Sequence, residues 1–315
     1  MTALPDRPPG DFARVMICDD SAAIRGAIGR ILEQDARILV VAHVGHGRAA
    51  LDELQRRRGG AEMPDVLVLD IEMPVMDGLT ALPQMLQAAP GLRVLMASTL
   101  TARGADVALQ ALRLGAADCI LKPGSASGID AGGFAAELIA KVTGLARLRR
   151  AAAAPGRAGQ PGSPPCALPQ NGSAAPRLRP APVLPPLLVA IGSSTGGPQA
   201  LFALVQALGT AVPVPVVLTQ HMPATFMPIL AEHLTRLGAM PCAVASDAEP
   251  LLAGRIHLAP GDRHLHVRKT ATGLRAHLDD GPPENWCRPA VDPMLRSAAV
   301  ACDGRVLGVI LTGMG

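Results

Sequence analysis

Apolar residues in the first part of the chain come in short unbroken runs set at helix-length intervals. Five such runs, RVMICDD (14–20), ILVVAHV (38–44), DVLVLD (65–70), RVLMAST (93–99) and DCILKP (118–123), are separated by segments long enough for one helix each. Strands covered on both faces read as continuous apolar runs, and helical crossovers between them impose parallel pairing. A parallel sheet with helices on both faces is therefore predicted. The second half repeats the strand–turn–helix pattern at IGSSTGGPQAL (191–201) and has a further strand in VPVVLTQHMP (214–223). RIHLAPGDRHLHV (255–267) and GLRAHLD (273–279) alternate like an antiparallel pair, and RVLGVILTGMG (305–315) is a last strand. This half is predicted to be α/β with a mixed sheet.

Between the two halves the periodicity stops. The stretch RRAAAAPGRAGQPGSPPCALPQNGSAAPRLRPAPV is rich in Ala, Pro, Gly and Arg and has no apolar face to bury. The predicted organisation is a tail over 1–12, a first domain over 13–148, a linker over 149–184 and a second domain over 185–315. Charge follows the same division. The chain has a net charge of +3, but Lys141 to Val183 contains seven basic residues and no acidic one, leaving −4 for the rest. The basic balance belongs to the linker, which removes the main support for nucleic-acid binding. No uncharged apolar stretch of membrane-spanning length occurs, and the N-terminus lacks the basic start and apolar run of a signal peptide. The six cysteines are scattered singly with no C-x-x-C spacing, which suits free thiols in a reducing cytosol. A cytoplasmic location is expected, with no direct membrane insertion.

In open parallel sheets ligands sit at the carboxyl ends of the strands. Those ends carry Asp19 and Asp20, Asp70, Ser98 with Thr99, and Lys122. Taken singly each has a plainer reading: Asp20 as a helix cap, Asp70 as a loop residue, Lys122 as a solvated one. Together they place three carboxylates, a hydroxyl and a lysine on one edge. Converging carboxylates repel unless a divalent cation sits among them, and hard oxygen ligands suit Mg²⁺. A carboxylate beside such a metal can attack phosphorus and become an acyl phosphate. This block, over nearly all of 13–128, resembles the flavodoxin-like receiver domain of response regulators. The resemblance implies Asp70 as phosphoacceptor, Asp19 and Asp20 with the backbone carbonyl of Glu72 as Mg²⁺ ligands, Ser98 as switch hydroxyl and Lys122 as phosphate-binding lysine. The MPVMDG loop (73–78) also matches. The aromatic switch residue usual three places before the lysine is Cys119 here, so weaker coupling to output, or coupling through other contacts, is expected.

GSSTG (192–196) fits G-x-S-x-G with Ser194 at the centre of a strand-to-helix turn. A phosphate-cradling loop would want G-x-G-x-x-G or a lysine at the helix start, and this stretch has neither. His221 ends the next strand, where an imidazole can take the serine proton and return it to a leaving group. A lone strand-end histidine is more often structural; beside Ser194 the catalytic reading is the better one. The start of the following helix offers N–H groups to an oxyanion.

The motifs IGSSTGGP, TQHMPATF, HLAPGDRHLHV, RPAVDPMLRSAA and GVILTGMG, in this order after a receiver and a linker, resemble the CheB family of chemotaxis protein-glutamate methylesterases over essentially the whole chain. The resemblance implies a Rossmann-like hydrolase domain that hydrolyses glutamate γ-methyl esters and deamidates certain glutamines on methyl-accepting chemotaxis receptors. Ser194 would be the nucleophile and His221 the base, with N–H groups around Thr195 and Met314 lining the oxyanion site. A chemotaxis histidine kinase would donate the phosphoryl group. Mg²⁺ would serve the receiver, and ester hydrolysis would need no cofactor. In the family Asn-Asp-Gly follows TGMG and its aspartate completes the triad; the chain given ends at Gly315, so a C-terminally shortened enzyme without that aspartate is expected.

Other features admit more than one reading. His264 and His266 share a strand, but no cysteine or carboxylate is spaced to complete a metal site, so ordinary alternation is favoured. Arg288 fits an acidic substrate region or a buried pair with Asp292, and Trp286 fits a cover over substrate or plain packing. A second functional class is a receiver protein with impaired catalysis, acting as a signalling or phosphate-sink module. A receiver-coupled transcription factor would need a basic helix-turn-helix, which residues 185–315 do not show.

Overall fold

A computed structural model describes residues 12–60, 62–99, 102–122, 131–153, 184–209, 212–285 and 287–312. The first unit alternates β1 (Ala13–Cys18), α1 (Ala22–Leu32), β2 (Ile38–Val44), α2 (Gly47–Arg56), β3 (Val66–Asp70), α3 (Gly78–Ala88), β4 (Arg93–Ser98), α4 (Ala102–Arg113), β5 (Asp118–Leu121) and α5 (Ala131–Ala153). Its strands lie in the order β2-β1-β3-β4-β5 and all pair in parallel. β3 and β5 are buried along their whole length, which is why they read as unbroken apolar runs.

The second unit contains β6 (Leu188–Ser193), α6 (Gly197–Leu208), β7 (Val216–Gln220), a 3₁₀ turn (Ala224–Phe226), α7 (Met227–Leu237), β8 (Cys242–Val244), β9 (Ile256–Leu258), β10 (His264–Thr270), β11 (Gly273–Asp279), α8 (Val291–Ala301) and β12 (Val306–Ile310). The expected mixed sheet separates into two. The main sheet, ordered β12-β6-β7-β9-β8, is parallel throughout. The antiparallel pair β10–β11 forms its own two-stranded sheet. It packs through Leu265, Val267, Ala276 and Leu278 into a core shared with Met294 and Ala298 of α8.

Composition puts the start of the linker at residue 149, yet α5 continues through Ala153. Ala and Arg are strong helix formers. Arg149 is also tied to the first unit, donating to the Pro64 carbonyl and pairing with Asp65 at 3.2 Å. Below it, Lys141 and Asp118 form a buried ion pair at 2.8 Å.

The two units share an apolar core. One cluster includes Leu109 and Leu112 of α4 together with Phe202, Phe226, Met227 and Leu230 of the second unit. The 3₁₀ turn, α7 and α6 all pack on α4. The Gln199 side chain of α6 donates to the Ala116 carbonyl, just before β5, at 2.7 Å.

Candidate functional site

Two groups of side chains stand at strand ends, one in each unit. In the first, Asp19 follows β1, Asp70 ends β3 and Lys122 follows β5. Lys122 Nζ lies 2.7 Å from Asp19 and 2.6 Å from Asp70, with all three side chains largely buried. Burial raises the Asp70 pKa against the opposing pull of Lys122. Asp19 also accepts the Ser21 N–H, and Ser21, not Asp20, caps α1. Asp20 stays exposed. Asp19, Asp20 and Asp70 each offer a carboxylate oxygen within 4.8 Å of the others, the only such His/Cys/Asp/Glu group among the described residues. An all-oxygen, anionic donor set of this kind fits Mg²⁺. Ser98 is buried at the end of β4; its hydroxyl donates to the Thr99 carbonyl, and its own carbonyl accepts the Lys122 N–H. Glu72, two residues after Asp70, is exposed. Cys119 is fully buried, and burial pushes its thiol pKa up, so it is an inert packing group behind the edge.

The second group is set by the pairing of β6 with β7. Ser193 is the register partner of Gln220, so the next residues, Ser194 and His221, emerge side by side. The ladder is extended by the His221 N–H donating to the Ser193 carbonyl at 3.1 Å. Ser194 Oγ stands 3.0 Å from His221 Nδ1. Thr195, also buried, leads to Gly196, whose φ of 73° is a left-handed conformation that glycine adopts without strain. That residue turns the chain into α6, so Ser194 sits just ahead of a helix N-terminus. Burial, with Lys141 next, holds the His221 imidazole down at about 4, so it is neutral and able to accept a proton at pH 7. Its Nε2 is buried and has no partner among the described residues.

The sequence of the chain matches two family models, the response regulator receiver domain over residues 15–131 and the CheB methylesterase over 189–315. It is 51% identical over 329 residues to protein-glutamate methylesterase/protein-glutamine glutaminase 1 of Paramagnetospirillum magneticum, covering 98% of this chain and 82% of that one. With the Azospirillum brasilense protein-glutamate methylesterase/protein-glutamine glutaminase it shares 51% over 316 residues, 97% and 79% of the two chains. The chain belongs to the CheB family.

Within this CheB-family chain the remaining candidates have ordinary partners. Arg288 donates to the carbonyls of Asp280 and Gly281 and makes no pair with Asp292, which accepts from Asn285. A guanidinium can satisfy two carbonyls at once, an option that residue type alone does not reveal. Asp303 pairs with Lys269. His264 is buried, accepting the Ala290 N–H and bonding the Pro282 carbonyl, which fixes it as a structural residue. His266 and His277 of the hairpin face acids, Asp279 of β11 at 3.4 Å and Asp247, in the loop after β8, at 3.2 Å. Met314 and Trp286 lie outside the described residues.

The receiver reaches this second group. Leu148 of α5 touches the nucleophile turn: its Cδ1 lies 3.4 Å from where a Cβ on Gly196 would stand. The 3₁₀ turn beginning three residues after His221 packs on α4. Neither contact has a signature in local sequence, because each joins segments far apart in the chain.

Proposed function

We propose that this chain is a phosphorylation-controlled protein-glutamate methylesterase and protein-glutamine glutaminase acting on methyl-accepting chemotaxis receptors. The observation that carries the reading is the 3.0 Å approach of Ser194 Oγ to a neutral His221 Nδ1. Ser194 attacks the γ-carbonyl of a methylated glutamate while its proton passes to His221. The tetrahedral oxyanion forms beside the backbone N–H groups of Thr195 and Gly196; within α6 itself the Gly197 N–H is already given to the Ser194 carbonyl and Pro198 has none. Collapse breaks the bond to the methoxy oxygen, which takes the imidazolium proton and leaves as methanol, and a water molecule then hydrolyses the acyl-enzyme by the reverse transfer. With glutamine the leaving group is ammonia.

Control comes from the receiver. Asp70 takes the phosphoryl group from a chemotaxis histidine kinase, and Lys122 and Ser98 bind its oxygens. Asp19, Asp20 and Asp70, with the Glu72 carbonyl, would hold Mg²⁺, which supplies positive charge to offset the phosphoryl oxygens. The unphosphorylated receiver covers the nucleophile turn through Leu148 and α4, and phosphorylation shifts the population toward an open form. Among the described residues no helix is long and apolar enough to cross a membrane, in keeping with an enzyme that meets its receptors from the cytoplasm.

The test is methanol release from methylated receptors. Ser194→Ala and His221→Ala should each remove nearly all of it, because the pair acts as a unit. Acetyl phosphate with Mg²⁺ should raise the rate of the unaltered chain and leave Asp70→Asn unchanged. Equal rates with and without the phosphoryl donor in the unaltered chain would overturn the regulatory half of the proposal.

A further inference from the structure

Behind Ser194 lies a group of buried polar atoms that the reaction described so far does not use. Gln220 is 0% exposed, and its Nε2 donates to the Ser194 carbonyl at 3.3 Å and the His221 carbonyl at 3.4 Å. Carbonyl oxygens can be met only by a donor, so the amide nitrogen must face them and Oε1 must face away. Gln220 Oε1 is buried without a hydrogen-bond partner among the described residues, and so are the hydroxyls of Ser193 and Thr312. All three border one small space beside Gly197. A Cβ there would lie 2.9 Å from Gln220 Oε1 and 3.1 Å from Thr312 Oγ1, and would collide outright with Ser193 Oγ. Two hydroxyl donors and one amide acceptor thus converge where glycine leaves room for them.

We propose that Gln220 is a positioning residue: its carboxamide holds nucleophile and base in one frame, and the Ser193 and Thr312 hydroxyls fix that carboxamide from behind. This rests on the Ser194–His221 reading above. A fully buried amide with an unpaired oxygen is costly where an apolar side chain would pack without penalty, so its position between the two reacting residues needs a reason. Bracketing both of their carbonyls supplies one. The bracket adds a side-chain link to the backbone bond from His221 N–H to the Ser193 carbonyl, so the serine turn and the histidine cannot shift independently. A hydroxyl turned onto Oε1 would lock the amide against flipping. Because Gly197 supplies the space, any side chain there would break the arrangement.

The test uses the full chain, with kcat and KM measured on methylated receptor and Ser194 labelling by a phosphonofluoridate as a receptor-independent readout. Gln220→Glu keeps the shape but removes both donors. It is expected to lower kcat by about 5- to 100-fold at unchanged KM, the range corresponding to one or two lost buried partners, and to slow labelling by the same factor. The new carboxylate beside His221 should also move the acid limb of the rate profile to higher pH. Thr312→Val alone should cost a few-fold, since Ser193 can still reach Oε1. The double variant Ser193→Ala/Thr312→Val, which leaves every Gln220 donor in place, should cost about 10-fold or more in kcat. The proposal is overturned if Gln220→Glu keeps kcat within threefold, if its loss appears in KM, or if the double variant equals the unaltered chain. Should Gln220→Glu fail to fold, the double variant decides alone. A dead Ser194→Ala beside a fully active Gln220→Glu rejects this inference and leaves the catalytic pair standing.

Discussion

Replacing Gln199 by alanine removes one hydrogen bond between the receiver and the methylesterase unit while leaving Ser194, His221 and Asp70 untouched. The bond runs 2.7 Å to the Ala116 carbonyl, and Ala116 is fully buried. A neutral hydrogen bond of this kind contributes about 1 kcal/mol net, within a range of roughly 0.5 to 1.5. If the receiver holds the enzyme closed, the basal rate is proportional to the small open fraction. Since about 1.4 kcal/mol corresponds to tenfold in an equilibrium constant, losing about 1 kcal/mol from the closed form multiplies that fraction about fivefold. The phosphorylated enzyme is already open, so its plateau should not change. The assay is methanol release from methylated receptor before and after addition of acetyl phosphate and Mg²⁺. A Gln199→Ala enzyme with an unchanged basal rate would show that this contact does not hold the closed state. A basal rate and plateau raised by the same factor would show that Gln199 acts on the chemistry instead.

Further expectations follow from the same geometry. Ser193→Ala should cost no more than a few-fold where Ser194→Ala loses nearly everything, since only the Ser194 hydroxyl meets His221; equal losses in methanol release would contradict the assignment. Asp118→Asn strands the buried Lys141 ammonium with only Glu137, at 3.6 Å, for company, and should cost about 3–5 kcal/mol in urea unfolding. The double replacement Asp118→Leu/Lys141→Met should recover most of that, and far-UV circular dichroism is the probe, because the one tryptophan, Trp286, and the absence of tyrosine leave the receiver without a fluorescent reporter. The His221 pKa, lowered from 6.5 to about 4 mainly by burial, keeps the imidazole neutral as acid is added. The acid limb of kcat/KM for this chain should therefore fall through about pH 4, and an observed limb at pH 6–7 would contradict it. The same sign makes folding stability decline as pH drops from about 6.5 toward 4, where the unfolded chain binds the proton and the folded one does not.

Strand ends were the most legible part of the sequence. Asp19, Asp70, Lys122 and His221 each close or follow a compact apolar run, and parallel pairing lines such ends up on one edge, so their convergence could be read from order alone. Ser194 was legible for a second reason, the glycines that let a strand turn sharply into a helix. Gln220 was not: its role depends on which carbonyls its amide reaches across two strands. The contact of Gln199 with Ala116 was equally hidden, because it joins segments 83 residues apart. The end of α5 was obscured by composition, since an Ala- and Arg-rich stretch suits a helix as well as a linker until Arg149 is seen to bind Pro64 and Asp65. The hairpin's strands were visible by alternation, but not their separation from the main sheet, which is decided by what they pack against.

The pairing of Ser193 with Gln220 has a consequence for engineering. Because each reacting residue sits one step past a paired rung, their separation is dictated by main-chain hydrogen bonds rather than by loop conformation. The two strands and their first turns are therefore a transferable cassette, suited to grafting onto another parallel sheet with the same rung at its edge. The frame is strict in the other direction. Deleting one residue anywhere between Leu188 and Ser193 would turn alternate side chains to the opposite face and carry the serine away from the histidine, whereas insertions of several residues between Gly209 and Pro213 should leave the pair in place.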